Sequence, residues 1–160
     1  DVLSRIGEVL GLSAQDTRRA LANSLLLSAD NGHAVHPNFP EKADPANRVY
    51  PNGGVVVKVA ASQKYTTTGL TAGLFQAICR KAEVPVQVFA NRADEPGGST
   101  LGNLLGRQVS IPMVDIGMAQ LAMHAAVETA GSRDPEYLAI ACAALYQAEF
   151  TLTADGIYRF

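Results

Sequence analysis

Little cysteine, no surplus of basic charge and no long apolar run set the first limits on this 160-residue chain. Its two cysteines, Cys79 and Cys142, lie far apart in apolar, helix-like contexts. That leaves none of the close pairing that a cysteine zinc site or a redox pair shows. They read as small buried hydrophobes of a cytoplasmic protein. Thirteen Lys and Arg against fifteen Asp and Glu give a formal net charge of −2, with a pI near 5.9. The basic residues are scattered, so nothing is built to neutralise phosphates and nucleic acid is not an expected partner. No apolar run approaches the length that spans a bilayer, and Asp1-Val-Leu-Ser-Arg-Ile6 has neither the basic start nor the apolar block of a signal peptide. Neither membrane insertion nor secretion is expected. What is present, 48% hydrophobic and 18% charged residues, suffices for the core of one domain.

Periodicity divides the chain into helices and strands. Val2, Leu3, Ile6, Val9 and Leu10 recur at helical spacing and stop at Gly11. Ser13 is placed to cap a second helix over Gln15 to Asn23. Ser24 to Asp30 is a short apolar run that suits a strand buried on both faces better than an edge. From Asn31 to Gly54, four prolines and three glycines predict a long loop without regular elements. Val55–Val59 reads as a strand, Gly69 to Ala82 as a helix with Arg80 and Lys81 in its last turn, and Val84 to Ala90 as a strand. A short helix over Thr100 to Leu105 leads to a strand over Pro112 to Gly117. Gln120 to Ala130 reads as at least partly helical. The last helix runs from Asp134 to Phe150, with Asp134 as its cap and Pro135 at its first position. Strands alternating with helices predict an α/β domain with a mostly parallel sheet and flanking helices.

In such sheets ligands bind outside the carboxyl ends of the strands. Asp30 sits at one such end, with His33 and His36 just beyond it, and His124 follows the fourth strand closely enough to reach the same edge. Carboxylate and imidazole are ligands that a catalytic zinc takes. A residue of either type in these places also serves to cap a helix or satisfy a loop carbonyl. Lys58 interrupts an apolar strand, which suits either a paired, buried lysine that holds a substrate oxygen or an edge lysine that blunts aggregation. Gly97-Gly-Ser-Thr-Leu-Gly102 has amides and hydroxyls ahead of a helix, but lacks the ending of a phosphate loop. Ser99 lacks the surroundings of a nucleophile elbow.

The string Ser28-Ala-Asp-Asn-Gly-His-Ala-Val-His-Pro-Asn38 resembles a signature of the aspartyl aminopeptidase family of dinuclear zinc metallopeptidases. The resemblance continues in order through Val57-Lys-Val59, Gln63-Lys-Tyr65, Val84-Pro-Val-Gln87, Gly98-Ser-Thr-Leu-Gly102, Val114-Asp-Ile-Gly117 and Gln120-Leu-Ala-Met-His124. It implies that Asp30 is a carboxylate ligand of one zinc and His124 an imidazole ligand of a zinc. It further implies that His33, Lys58 and Tyr65 line the substrate pocket and donate hydrogen bonds to the peptide or its N-terminal side chain. His36 is expected to order its loop, and Asp115 to support the fold rather than bind metal. Gly97 stands where relatives often have Cys, Ala60 where Asn is common, Lys64 where Arg is common, and Ala125-Ala-Val-Glu128 where Ser-Ile-Arg-Glu is usual.

The same resemblance implies two zinc ions per active site, a peptide substrate with an acidic or neutral N-terminal residue, a homo-oligomer and a cytoplasmic setting. The family's remaining ligands and its general-base glutamate belong upstream of the matching region. The chain is therefore expected to be the C-terminal part of a catalytic domain over residues 1–160, without the upstream part and the lid domain, and inactive alone. Two other readings stay open: a non-catalytic assembly module derived from the family, and a different metal-dependent amidohydrolase.

Overall fold

The computed structural model describes residues 1–155 and 157–159. Two helices open the chain, α1 (Val2–Val9) and α2 (Ala14–Ala22). The Ser13 hydroxyl accepts the Asp16 amide at 3.1 Å, as its capping position predicts. Then follow β1 (Leu26–Ala29), β2 (Gly32–His33), β3 (Val55–Val59), α3 (Gly69–Lys81), β4 (Val86–Ala90), α4 (Leu101–Gly106), β5 (Met113–Gly117), β6 (Ala119–Leu121), β7 (Thr129–Ala130), α5 (Asp134–Gln147), β8 (Thr151–Leu152) and β9 (Tyr158–Arg159).

The main sheet has the order β1-β5-β3-β4. β1 runs parallel to β5 and β3 parallel to β4, while β5 and β3 meet antiparallel through Val56↔Gly117 and Val57↔Ile116. Two of the three pairings are thus parallel. One face of the sheet is dry: Val55 and Val57 of β3 and Val114 and Ile116 of β5 pack with Phe75 and Cys79 of α3 and Ala141 of α5. Thr68 and Thr71 form a reciprocal capping box that starts α3 and fixes where it lies on this face. The opposite face carries a smaller cluster of Ala34, Val49, Val56, Tyr65, Phe89 and Ala119. A second sheet, β2-β6-β7, lies beside it and joins the segment after β1 to the segment after β5 in parallel register, Gly32↔Ala119 and His33↔Gln120.

Four expectations need correction. Residues 120–130 are not helical: Ala119–Leu121 pairs with β2 and Thr129–Ala130 closes an antiparallel ladder with it. The backbone of Ala122 (φ 54°) and His124 (φ 67°) is left-handed, which no α-helix accommodates. The 31–54 stretch is mostly loop, yet β2 and a 3₁₀ turn at Pro40–Lys42 form within it. Asp134 does not cap α5: it occupies the first turn, is buried, and accepts the amides of Asn52 at 2.8 Å and Gly54 at 3.3 Å from the long loop. Finally, β1 stands at one end of the main sheet among the described residues rather than between two neighbours.

Candidate active site

Lys58 decides the character of the cleft face. β3 has a neighbour on either side, so the edge-lysine reading does not hold, and the side chain is 2% exposed. Its ammonium lies 3.4 Å from the Asn31 carbonyl oxygen, 3.6 Å from Asp30 Oδ2 and 5.0 Å from the centre of the Tyr65 ring. Burial pushes the Lys58 ammonium below the ordinary lysine value, and the Asp30 and Asp115 carboxylates oppose that shift. A charge so placed costs free energy unless a carboxylate and a π-face sit beside it, and both do.

Asp30 immediately follows β1, at the carboxyl end of that strand. Its carboxylate is 59% exposed, and apart from Lys58 it has no partner among the described residues. The chain crosses itself here at close range, because a Cβ on Gly117 would collide with the Asp30 carbonyl oxygen. Asn31 ties the crossing together: it accepts the Met118 amide at 3.0 Å and donates to Gln120 Oε1 at 2.6 Å. Neither Asn31 nor Gln120 is marked by residue type or spacing as part of a site.

His124 reaches the cleft from the turn after β6. Its backbone amide is held by Glu128 Oε1 at 2.6 Å and its ring is exposed. Two left-handed residues within three positions cost on the order of 1–3 kcal/mol each. Such strain persists only where surrounding contacts over-determine the backbone, and here it carries an imidazole to the cleft.

Asp30, His33, Lys58, Tyr65 and His124 all line one open cleft of about 490 Å³. His36 also borders it, but its Nδ1 accepts the Asn38 amide at 3.2 Å and its ring lies 5.2 Å from Phe39, the loop-ordering part expected of it. Asp115 is fully buried and its carboxylate is filled by the Thr66 amide (2.5 Å), the Thr66 hydroxyl (2.8 Å) and the Thr100 hydroxyl (2.5 Å). The Gly98-Ser-Thr-Leu-Gly102 turn therefore serves packing: Thr100 anchors Asp115, and the Gly102 amide donates to Ser28 Oγ at 3.1 Å. Tyr65 is buried, which raises its phenol above the usual value, while a hydrogen bond from Asn91 pulls the other way.

A metal needs more than this chain offers by itself. Among the described residues, no three His, Cys, Asp or Glu side chains converge closely enough to hold an ion. The Asp30 carboxylate and the His124 imidazole match zinc in donor type and open onto the same cleft, yet a zinc site takes three or four protein donors. They fit as part of a donor set.

The sequence profile of the family described as "Aminopeptidase I zinc metalloprotease (M18)" matches residues 1–148. The chain belongs to the M18 zinc metalloprotease family. It is similar to a probable M18 family aminopeptidase 2 of Clostridium novyi, 47% identical over 137 residues, covering 86% of this chain and 32% of that protein. Its counterpart in Mycobacterium tuberculosis is 43% identical over 150 residues, covering 94% and 35% respectively. The M18 segment thus spans about a third of the length of these curated relatives. Among solved structures, a chain of "Cryo-EM structure of the Ape4 and Nbr1 complex" superposes with a TM-score of 0.87 at 37% identity, over 91% of this chain and 28% of that one. A chain of "Structure of S. cerevesiae mApe1 dodecamer" superposes with a TM-score of 0.69 at 27% identity, over 81% and 28%. No helix among the described residues is long and apolar enough to cross a membrane.

Proposed function

We propose that this chain supplies one wall of the active site of a dinuclear zinc aminopeptidase that removes acidic or neutral N-terminal residues from peptides. In this reading Asp30 is a carboxylate ligand of one ion and His124 an imidazole ligand, and the remaining donors and the general-base glutamate come from outside these residues. Bound zinc supplies Lewis-acid polarisation of the scissile carbonyl and a water acidic enough to attack near neutral pH. The chain's own part is to hold the peptide. Lys58 and Tyr65 donate hydrogen bonds to substrate oxygens from a buried floor, and His33 does so from the rim. The observation that carries the reading is the buried Lys58 ammonium beside the open Asp30 carboxylate in the cleft that His124 also lines. The family match and the named M18 relatives support the aminopeptidase chemistry. The dodecameric neighbour supports a homo-oligomer, which we assign to the intact protein in the cytoplasm together with a peptide substrate.

The test is zinc titration and an aminopeptidase assay on this chain beside a longer M18 protein that carries it. The chain alone should bind zinc weakly and turn over no aminoacyl substrate, because two donors close no tetrahedral site. In the longer protein, Asp30→Asn and His124→Ala should each lower the bound zinc and abolish turnover. Robust metal-dependent turnover by the chain alone, or full zinc content in both variants, would overturn the assignment. Full zinc-free binding of peptide without turnover in the longer protein would favour an assembly module instead.

A further inference from the structure

We propose that Asn91 is a positioning residue for Tyr65, and that position 97 is glycine because the Asn91 amide occupies the space a side chain there would need. Asn91 directly follows β4, is half-buried and lines the cleft. Its Nδ2 donates to the Tyr65 hydroxyl oxygen at 3.2 Å. A Cβ on Gly97 would overlap Nδ2, with Asn91 Cγ only 2.6 Å away. The Gly97 carbonyl oxygen in turn accepts from Lys64 Nζ at 2.7 Å. Lys64 precedes Tyr65, so the tyrosine segment and the glycine turn are clamped twice, once through Lys64 and once through Asn91 packed on Gly97. The Lys58 ammonium fixes the ring itself from 5.0 Å.

The clamp has a chemical consequence. A phenol can both donate and accept. With its oxygen accepting from Asn91, Tyr65 keeps its own proton for another acceptor, and the cleft is where one can arrive. Lys58 can only donate. At Lys58 and Tyr65 the floor of the cleft thus presents two donors beside the Asp30 carboxylate, and these two are matched to a carbonyl or carboxylate oxygen. The substrate half of this inference rests on the function proposed above; the clamp does not.

Two experiments separate the halves. In side-chain amide NMR of this chain, the Asn91 amide should exchange at least about tenfold more slowly than solvent-exposed asparagine amides, the ratio a hydrogen bond of about 1.4 kcal/mol gives. Tyr65→Phe should shift that amide and remove its protection. Gly97→Ala should do the same and lower the melting temperature, whereas adding Asn91→Ala to Gly97→Ala should restore it to the Asn91→Ala value. An Asn91 amide unaffected by Tyr65→Phe, or Gly97→Ala accepted with the amide signal intact, would overturn the clamp. In the longer M18 protein, Asn91→Asp can only accept and so turns the Tyr65 proton away from the cleft. It should lower kcat/KM about tenfold, as Tyr65→Phe does, and the double variant should fall no further. Independent, multiplying losses would overturn the positioning role. Unchanged kinetics in Tyr65→Phe would remove Tyr65 from the substrate site while leaving the clamp to the NMR result.

Discussion

Along β3, Val55 and Val57 enter an apolar cluster with Phe75, Cys79 and Ala141, while Val56 and Lys58, on the other face, meet Tyr65 and Phe89. The same division runs through β5, where Val114 and Ile116 join the dry cluster and Asp115 collects donors from Thr66 and Thr100. Successive residues of a strand point to opposite faces, so a single run of five residues serves both. On the dry face stability comes from area removed from water and from close packing. On the cleft face each buried polar group is tolerated only because a named partner meets it. Stability and chemistry in this domain are thus divided by face rather than by segment.

The largest expected effect falls on the dry face. Phe75→Ala removes a fully buried ring between α3 and the sheet, and urea unfolding should show a loss of about 3–5 kcal/mol. Such a loss with no change in the acceptors around Lys58 would confirm that the faces are energetically separate. A loss below about 1 kcal/mol would mean that the α3 contact contributes little and that the division is wrong.

Substitutions on the cleft face should reverse that balance. Lys58→Met keeps most of the bulk and removes a buried charge whose carboxylate partner is exposed. Its unfolding free energy should change by less than about 1 kcal/mol, since an apolar replacement for a buried ion is often neutral. Turnover by the longer protein should fall by the equivalent of about 1–3 kcal/mol, for Lys58→Met and for Tyr65→Phe alike. Stability losses like that of Phe75→Ala, together with unchanged kinetics, would return both residues to a purely structural part.

How much of this was legible in the sequence varies with the range of the forces involved. β3, α3, β4 and β5 announce themselves through apolar period and caps, and Ser13 caps its helix where its type and place predict. Residues 120–130 mislead because Leu121, Ala122 and Met123 favour a helix, and the competing forces are the remote pairing with Gly32–His33 and a backbone reversal that no glycine marks. Asp134 has the residue type of a cap, but its partners Asn52 and Gly54 lie 82 and 80 residues away in the chain. Strand order is likewise a long-range property, so a lysine within β3 reads equally as edge or interior until the neighbours are known. Of the cleft residues, Asp30, His33, Lys58 and His124 stand out by residue type and place at strand ends or within an apolar strand, whereas Tyr65 stands out only through the resemblance in ordered motifs. Asn31 lies within a quoted motif but its residue type assigns it no part, and Asn91, which bonds Tyr65, lies in none of the motifs.

The smallest effect concerns Cys79, and it sharpens the contrast through pH. The thiol is fully buried on the dry face, and desolvation pushes it up to about 12 from the ordinary cysteine value. Between that ordinary value and about 12 the unfolded chain gives up its proton while the folded chain keeps it. The folded state then binds more protons, so stability must fall as pH rises through this window and stay unaffected below it. The slope is at most about 1.4 kcal/mol per pH unit, one proton's worth. Urea unfolding followed from pH 8 to 11 in the wild-type chain and in Cys79→Ala measures it. The variant should lose stability to its cavity at every pH, while its profile flattens at the alkaline end relative to wild type. Parallel profiles for the two proteins would show that Cys79 ionises as readily when folded as when unfolded, and the face that α3 and α5 cover would then be wetter than its packing indicates.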